Sequence, residues 1–234
     1  KTGSHKNSVA VLPFANFSPN PENEYFSDGI TEEIINALVK LDGLQVPSRT
    51  SVFAYKNTNK DIREIGKELN VATVLEGSVR QSGNKIRVTA QLINTDDGFH
   101  IWSENYDGEM KDIFKVQDEI SQKIAEKLEQ NFEFNATRVF YEASTDSVVA
   151  YNHYLQGLYY WNKRTPEAVL KAIECYQKAI RKCKTYTKAY SGLANCYSFL
   201  GVIGHLKGKV AFTKAEKFAV KALELNDFRG GSFV

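Results

Sequence analysis

Long apolar runs are missing from this sequence. Its 234 residues are 42% hydrophobic, but no stretch approaches the roughly 18 apolar residues that predict a membrane-spanning helix. A basic segment followed by an apolar run, the pattern of a secretory signal, is also missing. Residues 1–7 resemble the remnant of an expression tag and are excluded from the fold prediction. We therefore expect globular domains that carry no targeting signal themselves. The sequence leaves open whether a targeting or membrane segment precedes them.

Catalytic motifs are missing as well. The glycine-rich phosphate and dinucleotide loops, the serine nucleophile elbow and the zinc-binding HExxH helix do not occur. His100, His153 and His205 are scattered over predicted strand, helix and loop, without the spacing of metal ligands. The acidic turn 107–112 lacks the glycine-centred spacing of a calcium loop. The glycine-rich stretch 201–209 could hold a phosphate, but it lies in a predicted insertion between helices. We predict no catalytic residue, no cofactor and no metal here.

Cysteine is scarce and confined to the second half of the chain. Cys175, Cys183 and Cys196 fit neither a paired zinc-binding spacing nor a disulfide framework. Cys175 and Cys183 are eight residues apart on a predicted helix and share a face. We interpret the cysteines as small buried apolar residues, with a Cys183–Cys196 disulfide as the alternative.

The two halves of the chain differ in the sign of their charge. The overall net charge is +2, but residues 1–138 carry −5 and residues 139–234 carry +7. Opposite charges on adjoining domains can steer the domains together or attract different partners. Two evenly solvated surfaces of unequal composition are the alternative.

The first half has the pattern of an α/β domain, which we place at 8–130. Residues 86–92 alternate between apolar and polar side chains, the clearest strand signal in the chain. Asp61 and Glu64 form a capping-box pattern at the start of a short helix. The order of elements is strand, helix, strand, helix, three antiparallel strands and a helix, which indicates a mixed sheet covered by helices. The predicted strands are 8–14, 44–47, 71–79, 86–92 and 100–106, and the longer helices are centred on 30–41 and 113–128.

The second half has an all-α pattern of the tetratricopeptide type, at 148–228, after a connection at 131–147 and before a tail at 229–234. Small and aromatic residues recur with the spacing of a second repeat helix, at two sites 43 residues apart. The usual period is about 34, so loops must absorb the excess. Two plain helical hairpins are the alternative. Arrays usually need about three repeats for stability. We therefore expect this one to be stabilised by packing on the first domain, on a second protomer or on further repeats. The repeated positions are Ala172, Tyr176 and Ala179, then Ala215, Ala219 and Ala222.

Long blocks of the sequence resemble a known family. Residues 8–128 resemble the α/β domain akin to the amino-terminal domain of TolB and to FlgO-like proteins. In multidomain bacterial signalling proteins this domain is typically followed by tetratricopeptide repeats. The matching blocks are VAVLPFANFSPNPENEYFSDGITEEI, SRTSVFAYKN, IGKELNVATVLEGSVRQSGNKIRVTAQLINTDDGFHIWSENYD and DIFKVQDEISQKI, with YLQGLYYWNKRTPEAVLKAIECYQKAI at the junction.

The resemblance implies a regulatory role. Similar regions look like the sensory parts of membrane-anchored adenylate or guanylate cyclases and of CadC-like winged-helix regulators. It therefore implies a non-catalytic sensory and protein-interaction region in the periplasmic part of a membrane-anchored protein, with its output domain elsewhere. An envelope scaffold without an output domain is the alternative, and a cytoplasmic location is also compatible with the sequence.

The repeat register predicts a peptide-binding groove. When Gly157 and Ala194 are taken as equivalent positions, the concave side of the array is aromatic and lightly basic, which suits an extended or acidic peptide. The expected occupant is a protein or peptide partner, the first domain of the chain itself or a second copy in a homodimer. Nucleic acid is not expected, because the lysines are dispersed along helices. The predicted groove residues are Tyr151, Tyr154, Leu158, Trp161, Lys188, Ser191, Asn195 and Ser198.

Overall fold

The computed structural model describes residues 7–131, 145 and 147–230. The chain divides into two compact units, Lys1–Glu142 and Ala143–Val234. The division falls inside the predicted connection, most of which lies outside the described residues, as do residues 1–6 of the predicted tag and residues 231–234 of the predicted tail. In the part of the chain that is described, no helix combines the length and the apolar content needed to cross a membrane.

The first unit contains a five-stranded mixed sheet. Strands β3, β4 and β5 form an antiparallel meander, and β1 and β2 both pair with β3 in parallel, one after the other along its length. This confirms the predicted mixed sheet. The strands are β1 (Val9–Val11), β2 (Ala15–Asn16), β3 (Thr73–Ser82), β4 (Lys85–Asn94) and β5 (His100–Glu109).

Four helices accompany the sheet. Two short 3₁₀ turns, Pro21–Asn23 and Met110–Asp112, precede the first and the last of them. As predicted, Asp61 begins the third helix, and its side chain accepts a hydrogen bond from the backbone N–H of Arg63. The helices are α1 (Glu24–Leu38), α2 (Arg49–Phe53), α3 (Ile62–Leu69) and α4 (Ile113–Asn131).

The strand predicted at 44–47 is wrong. This segment makes only an isolated parallel bridge, between Ser8 and Gln45. Pro47 removes a backbone donor, and the Ser48 hydroxyl then accepts a bond from the N–H of Ser51, which caps α2. The sequence analysis did not predict α2.

The core of the first unit lies between the sheet and helices α1 and α4, which pack on each other and on β3, β4 and β5. Alternate residues of β3 and β4 form this apolar face. The same alternation places Glu76 and Ser78 on the opposite face, where α3 packs on β3. The buried residues of the core include Leu75, Val79, Val88 and Leu92, together with Ile30, Ile34, Ile113, Ile120 and Ile124.

The second unit consists of two helical hairpins. In each pair of consecutive helices the two members pack on each other, and α5 also meets α7. Cys175 and Cys196 are buried, as predicted, whereas Cys183 is only half-buried, and all three cysteines are thiols. The helices are α5 (Val148–Asn162), α6 (Pro166–Lys182), α7 (Thr187–Val202) and α8 (Gly208–Gly230).

Candidate functional site

Three of the predicted groove residues are core residues. The exposed fractions of Tyr151, Tyr154 and Leu158 are 1%, 7% and 8%. The ring of Tyr154 packs on the rings of Tyr176 and Tyr186, at centroid distances of 5.9 and 5.2 Å. The prediction that these three residues line an open groove is therefore wrong.

The error concerns the side of α5 that was predicted to stay open. Tyr154 on this side packs on Tyr176 of α6. The ring of Tyr176 also lies against both Gly157 of α5 and Gly192 of α7, and a β-carbon at either glycine would stand 2.6 Å from ring atoms. The predicted groove side of α5 is therefore the side that packs on α6.

A different set of residues, also at helical spacing, stays accessible on α5 and at its C-cap. His153, Gln156, Tyr160 and Lys163 are half-buried or exposed. Of the four predicted residues of α7, Ser191 and Asn195 are exposed and the other two are half-buried. We call these eight residues the α5–α7 face: His153, Gln156, Tyr160, Lys163, Lys188, Ser191, Asn195 and Ser198.

Trp161, the remaining predicted groove residue, lies beside this face. Its half-buried indole meets the ring of Phe199 edge-on, with a centroid distance of 5.8 Å. The guanidinium carbon of Arg164 stands 3.8 Å from the indole centroid. Trp161 therefore joins α5 to α7 and takes part in packing.

The α5–α7 face contains no carboxylate. Neither α5 nor α7 contains an aspartate or a glutamate. Lys163 and Lys188 supply positive charge, and the Lys163 ammonium lies 4.3 Å from the centroid of the Tyr159 ring and 5.5 Å from that of Tyr160. Amides and hydroxyls make up most of the rest. The face offers hydrogen bonds and a mild positive potential, which suit acidic groups.

The structure also forms a cleft in the first unit that sequence reasoning missed. Its volume is about 520 Å³. The floor consists of Glu76 and Ser78 on β3, with Gln91 and Thr89 opposite them on β4. The signal in the sequence was the pair Glu76 and Ser78, between the apolar residues Leu75 and Val79 of one strand. The walls come from three separate segments: residues 12–17, residues 55–58 with Lys60, and Ile62 with Ile65 of α3.

The two lysines of the cleft are neutralised by carboxylates. The Lys56 ammonium contacts Glu24 at 2.5 Å and Asp28 at 2.6 Å. Burial raises the pKa of Asp28, although its hydrogen bond with Lys56 acts in the opposite direction. Lys60 pairs with Glu68. The pKa of Glu68 is lowered by its hydrogen bond with Lys60 and by a second one from the Tyr55 hydroxyl.

The predicted absence of a metal site remains an expectation. Within the described residues, no three His, Cys, Asp or Glu side chains are grouped so that they could hold an ion. The acidic turn at 107–112 has structural partners instead. Asp107 pairs with Arg87 at 2.6 Å, and Glu109 and Asp112 form a reciprocal cap at the 3₁₀ turn before α4.

Comparison with known proteins identifies the first unit. Residues 4–123 match the second domain of the HilA/YgeH-like transcriptional regulators, and the match covers half of the chain. The chain belongs to this family. The HilA/YgeH-like domain thus takes in the whole sheet and the first part of α4.

A similar protein carries a name from another signalling class. The Rhizobium meliloti (strain 1021) protein named "Putative adenylate cyclase 3" is 53% identical over 123 residues. These residues make up 53% of this chain but only 21% of the Rhizobium protein. The chain therefore spans about a fifth of that relative.

Solved structures with distant similarity include a lipoprotein and a TolB protein. Lipoprotein GNA1162 from Neisseria meningitidis aligns with a TM-score of 0.40 and 17% identity, over 51% of this chain and 96% of its own. TolB from Acinetobacter baumannii aligns with a TM-score of 0.39 and 16% identity, over 52% of this chain and 28% of its own. These similarities concern the fold and have no bearing on function.

Proposed function

We propose that this chain is a non-catalytic regulatory and protein-interaction region of a bacterial signalling protein, whose output domain lies elsewhere in the polypeptide. One observation carries the proposal. Residues 4–123 match a domain of transcriptional regulators, and 123 residues of the chain are 53% identical to a protein named as a cyclase. A chain that resembles parts of proteins with different outputs is better explained as a common input than as the source of either activity.

The second unit, in this proposal, is a tetratricopeptide-type array. Helix α5 begins at Val148 and α7 at Thr187, 39 residues later, so loops account for the excess over the usual period of about 34. Gly157 and Gly192 each allow their helix to approach the ring of Tyr176 on α6. Small residues at the closest approach of paired helices are what such a repeat requires.

The α5–α7 face is the docking surface of the array in this proposal. Its lysines, amides and hydroxyls, without any carboxylate, favour an acidic, extended segment of a partner protein. The chain's own acidic first unit, or a second copy of the chain, could bind through the same hydrogen bonds and positive charge. As part of the proposal, we assign the chain to the periplasmic side of a membrane-anchored protein, on the basis of the sequence resemblance.

A domain exchange tests the regulatory role. The matched 123 residues of the Rhizobium protein are replaced by those of this chain, and cyclic AMP is measured in cells that lack their own cyclase. We expect the exchanged protein to make cyclic AMP, and its level to change when the segment is deleted or altered. The purified chain should make none from ATP. Cyclic AMP made by the chain alone, or a level that no change in the segment affects, would contradict the proposal.

A further inference from the structure

The floor of the cleft carries polar side chains without partners. Glu76 lies directly across from Gln91, and Ser78 lies across from Thr89, all four half-buried on the sheet face opposite the core. The Thr89 hydroxyl donates to the side-chain oxygen of Asn105 at 2.7 Å. The side chains of Glu76, Ser78 and Gln91 make no hydrogen bond or ion pair with any residue that the structure describes.

The half-buried Glu76 side chain has no partner among the described residues, so its carboxylate is available to a ligand that enters the cleft. In this cleft the Glu76 carboxylate faces a volume large enough for a small molecule. The polar floor is therefore arranged to be completed by a ligand.

The charged groups around the cleft indicate the charge that such a ligand would carry. The lining contains Glu24, Glu76, Lys56 and Lys60. Each lysine is already paired, and the pairing brings in two further carboxylates, those of Asp28 and Glu68. With these two, four carboxylates surround two ammonium groups, and Glu76 is the carboxylate that no ammonium group pairs with.

The walls set the shape of the ligand. Phe17, which is 58% exposed, lines the cleft together with Leu12, Ile62 and Ile65. Apolar walls around a few convergent polar groups are typical of small-molecule sites, which occupy about 300–1,000 Å³. The volume of about 520 Å³ lies in this range.

We propose that the cleft binds a small organic cation, a protonated amine or guanidinium on a short apolar body. Glu76 is its counter-ion, Ser78 and the Gln91 carbonyl accept further hydrogen bonds, and the apolar walls hold the body. A metal ion is disfavoured, because Glu76 is the only one of the four carboxylates that has no ammonium partner. The proposal goes beyond the docking function and does not depend on it, since it concerns a different unit of the chain.

Three small probes with similar alkyl chains and different charged groups test the charge requirement. Butylammonium, butylguanidinium and butyrate are titrated into the whole chain at matched ionic strength, and binding is followed by calorimetry and by the shift of the unfolding temperature. We expect both cations to bind and to raise the unfolding temperature, and butyrate to do neither. Binding of butyrate as strong as that of the cations, or binding of none of the three, would overturn the proposal.

Substitutions then locate the site. Glu76→Gln should weaken binding of the cations about ten- to a hundredfold, the loss expected for one charged hydrogen bond. Gln91→Glu, which adds a second carboxylate to the floor, should tighten binding several-fold. The control is Glu119→Gln on α4, the same charge change on a helix that covers the other face of the sheet. Unchanged binding in Glu76→Gln, or an equal loss in the control, would show that the cation does not use this cleft.

Discussion

Gly157 lies so close to the ring of Tyr176 that a β-carbon at residue 157 would stand 2.6 Å from two ring atoms. The ring is 1% exposed and meets Gly192 on its other side in the same way. Three helices of the second unit therefore converge on one aromatic side chain, which has no room to move away.

Gly157→Ala should destabilise the second unit. Overpacking costs about 1–3 kcal/mol, and the better helix propensity of alanine returns about 1 kcal/mol. We expect a net loss of up to about 2 kcal/mol in the free energy of unfolding, measured by urea denaturation. The double variant Gly157→Ala with Tyr176→Leu should lose less than the sum of the two single changes, because leucine leaves space for the methyl group. Additive losses would show that the two residues do not compete for space.

Reversing charge on the α5–α7 face should weaken binding of acidic peptides. We expect Lys163→Glu with Lys188→Glu to reduce the affinity for a fluorescent poly-glutamate peptide about fivefold or more, since each exposed ion pair contributes about 0.2–1 kcal/mol and each reversal adds repulsion. Anisotropy at low and at high salt provides the measurement, and the difference should shrink at high salt.

The matched control for this experiment is Lys178→Glu with Lys182→Glu on α6. It makes the same change in net charge on exposed residues outside the α5–α7 face. An equal loss of affinity in both variants would mean that overall charge, and not this face, governs binding.

Asp61 should contribute to stability in a pH-dependent way. Its pKa is lowered to about 2, first by the hydrogen bond with the Arg63 side chain and then by the backbone N–H of Arg63. Because the folded pKa is below the value of 3.8 for the unfolded chain, this stabilisation is present above pH 3.8 and is lost as the pH falls toward 2. Asp61→Asn, which keeps an N-capping oxygen, should show a shallower loss between these pH values in urea denaturation. Parallel pH profiles would refute this assignment.

The three thiols should differ in reactivity. Burial raises the pKa of Cys196 to about 12, and burial also raises that of Cys175. The thiolate is the reactive species, so both should stay unmodified in the folded protein at neutral pH. Cys183, half-buried at the end of α6, should react first. Iodoacetamide labelling followed by mass spectrometry checks this order, with labelling in denaturant as the control. Early modification of Cys196 would contradict the packing around it.

The sequence predicted the elements that have a strong local signal. The alternation over residues 86–92 lies in β4, and apolar residues at helical spacing identify α1 and α4. The capping aspartate at the start of α3 was also predicted correctly. Each of these signals reflects burial on one face of one element, which nearby residues determine without reference to the rest of the chain.

Predictions that depended on contacts between distant segments were less reliable. Residues 44–47 have a strand-like composition but form only one β-bridge, between Gln45 and Ser8. The side of α5 that was predicted to line a groove packs on α6, because a glycine in the sequence does not show which aromatic ring it contacts. Tyr151, Tyr154 and Leu158 therefore lie in the core and not in an open groove.

By itself, the sequence determined the class of each unit, the mixed sheet of the first and the helices of the second. The reason is that the spacing of apolar residues along the chain indicates which residues of one strand or helix are buried. Only the tertiary structure decided which side chains remain accessible. The cleft assembles from strands, a loop and a helix that lie far apart in the chain. The α5–α7 face depends on which sides of α5 and α7 pack on α6. Both are properties of packing between elements, which no local pattern records.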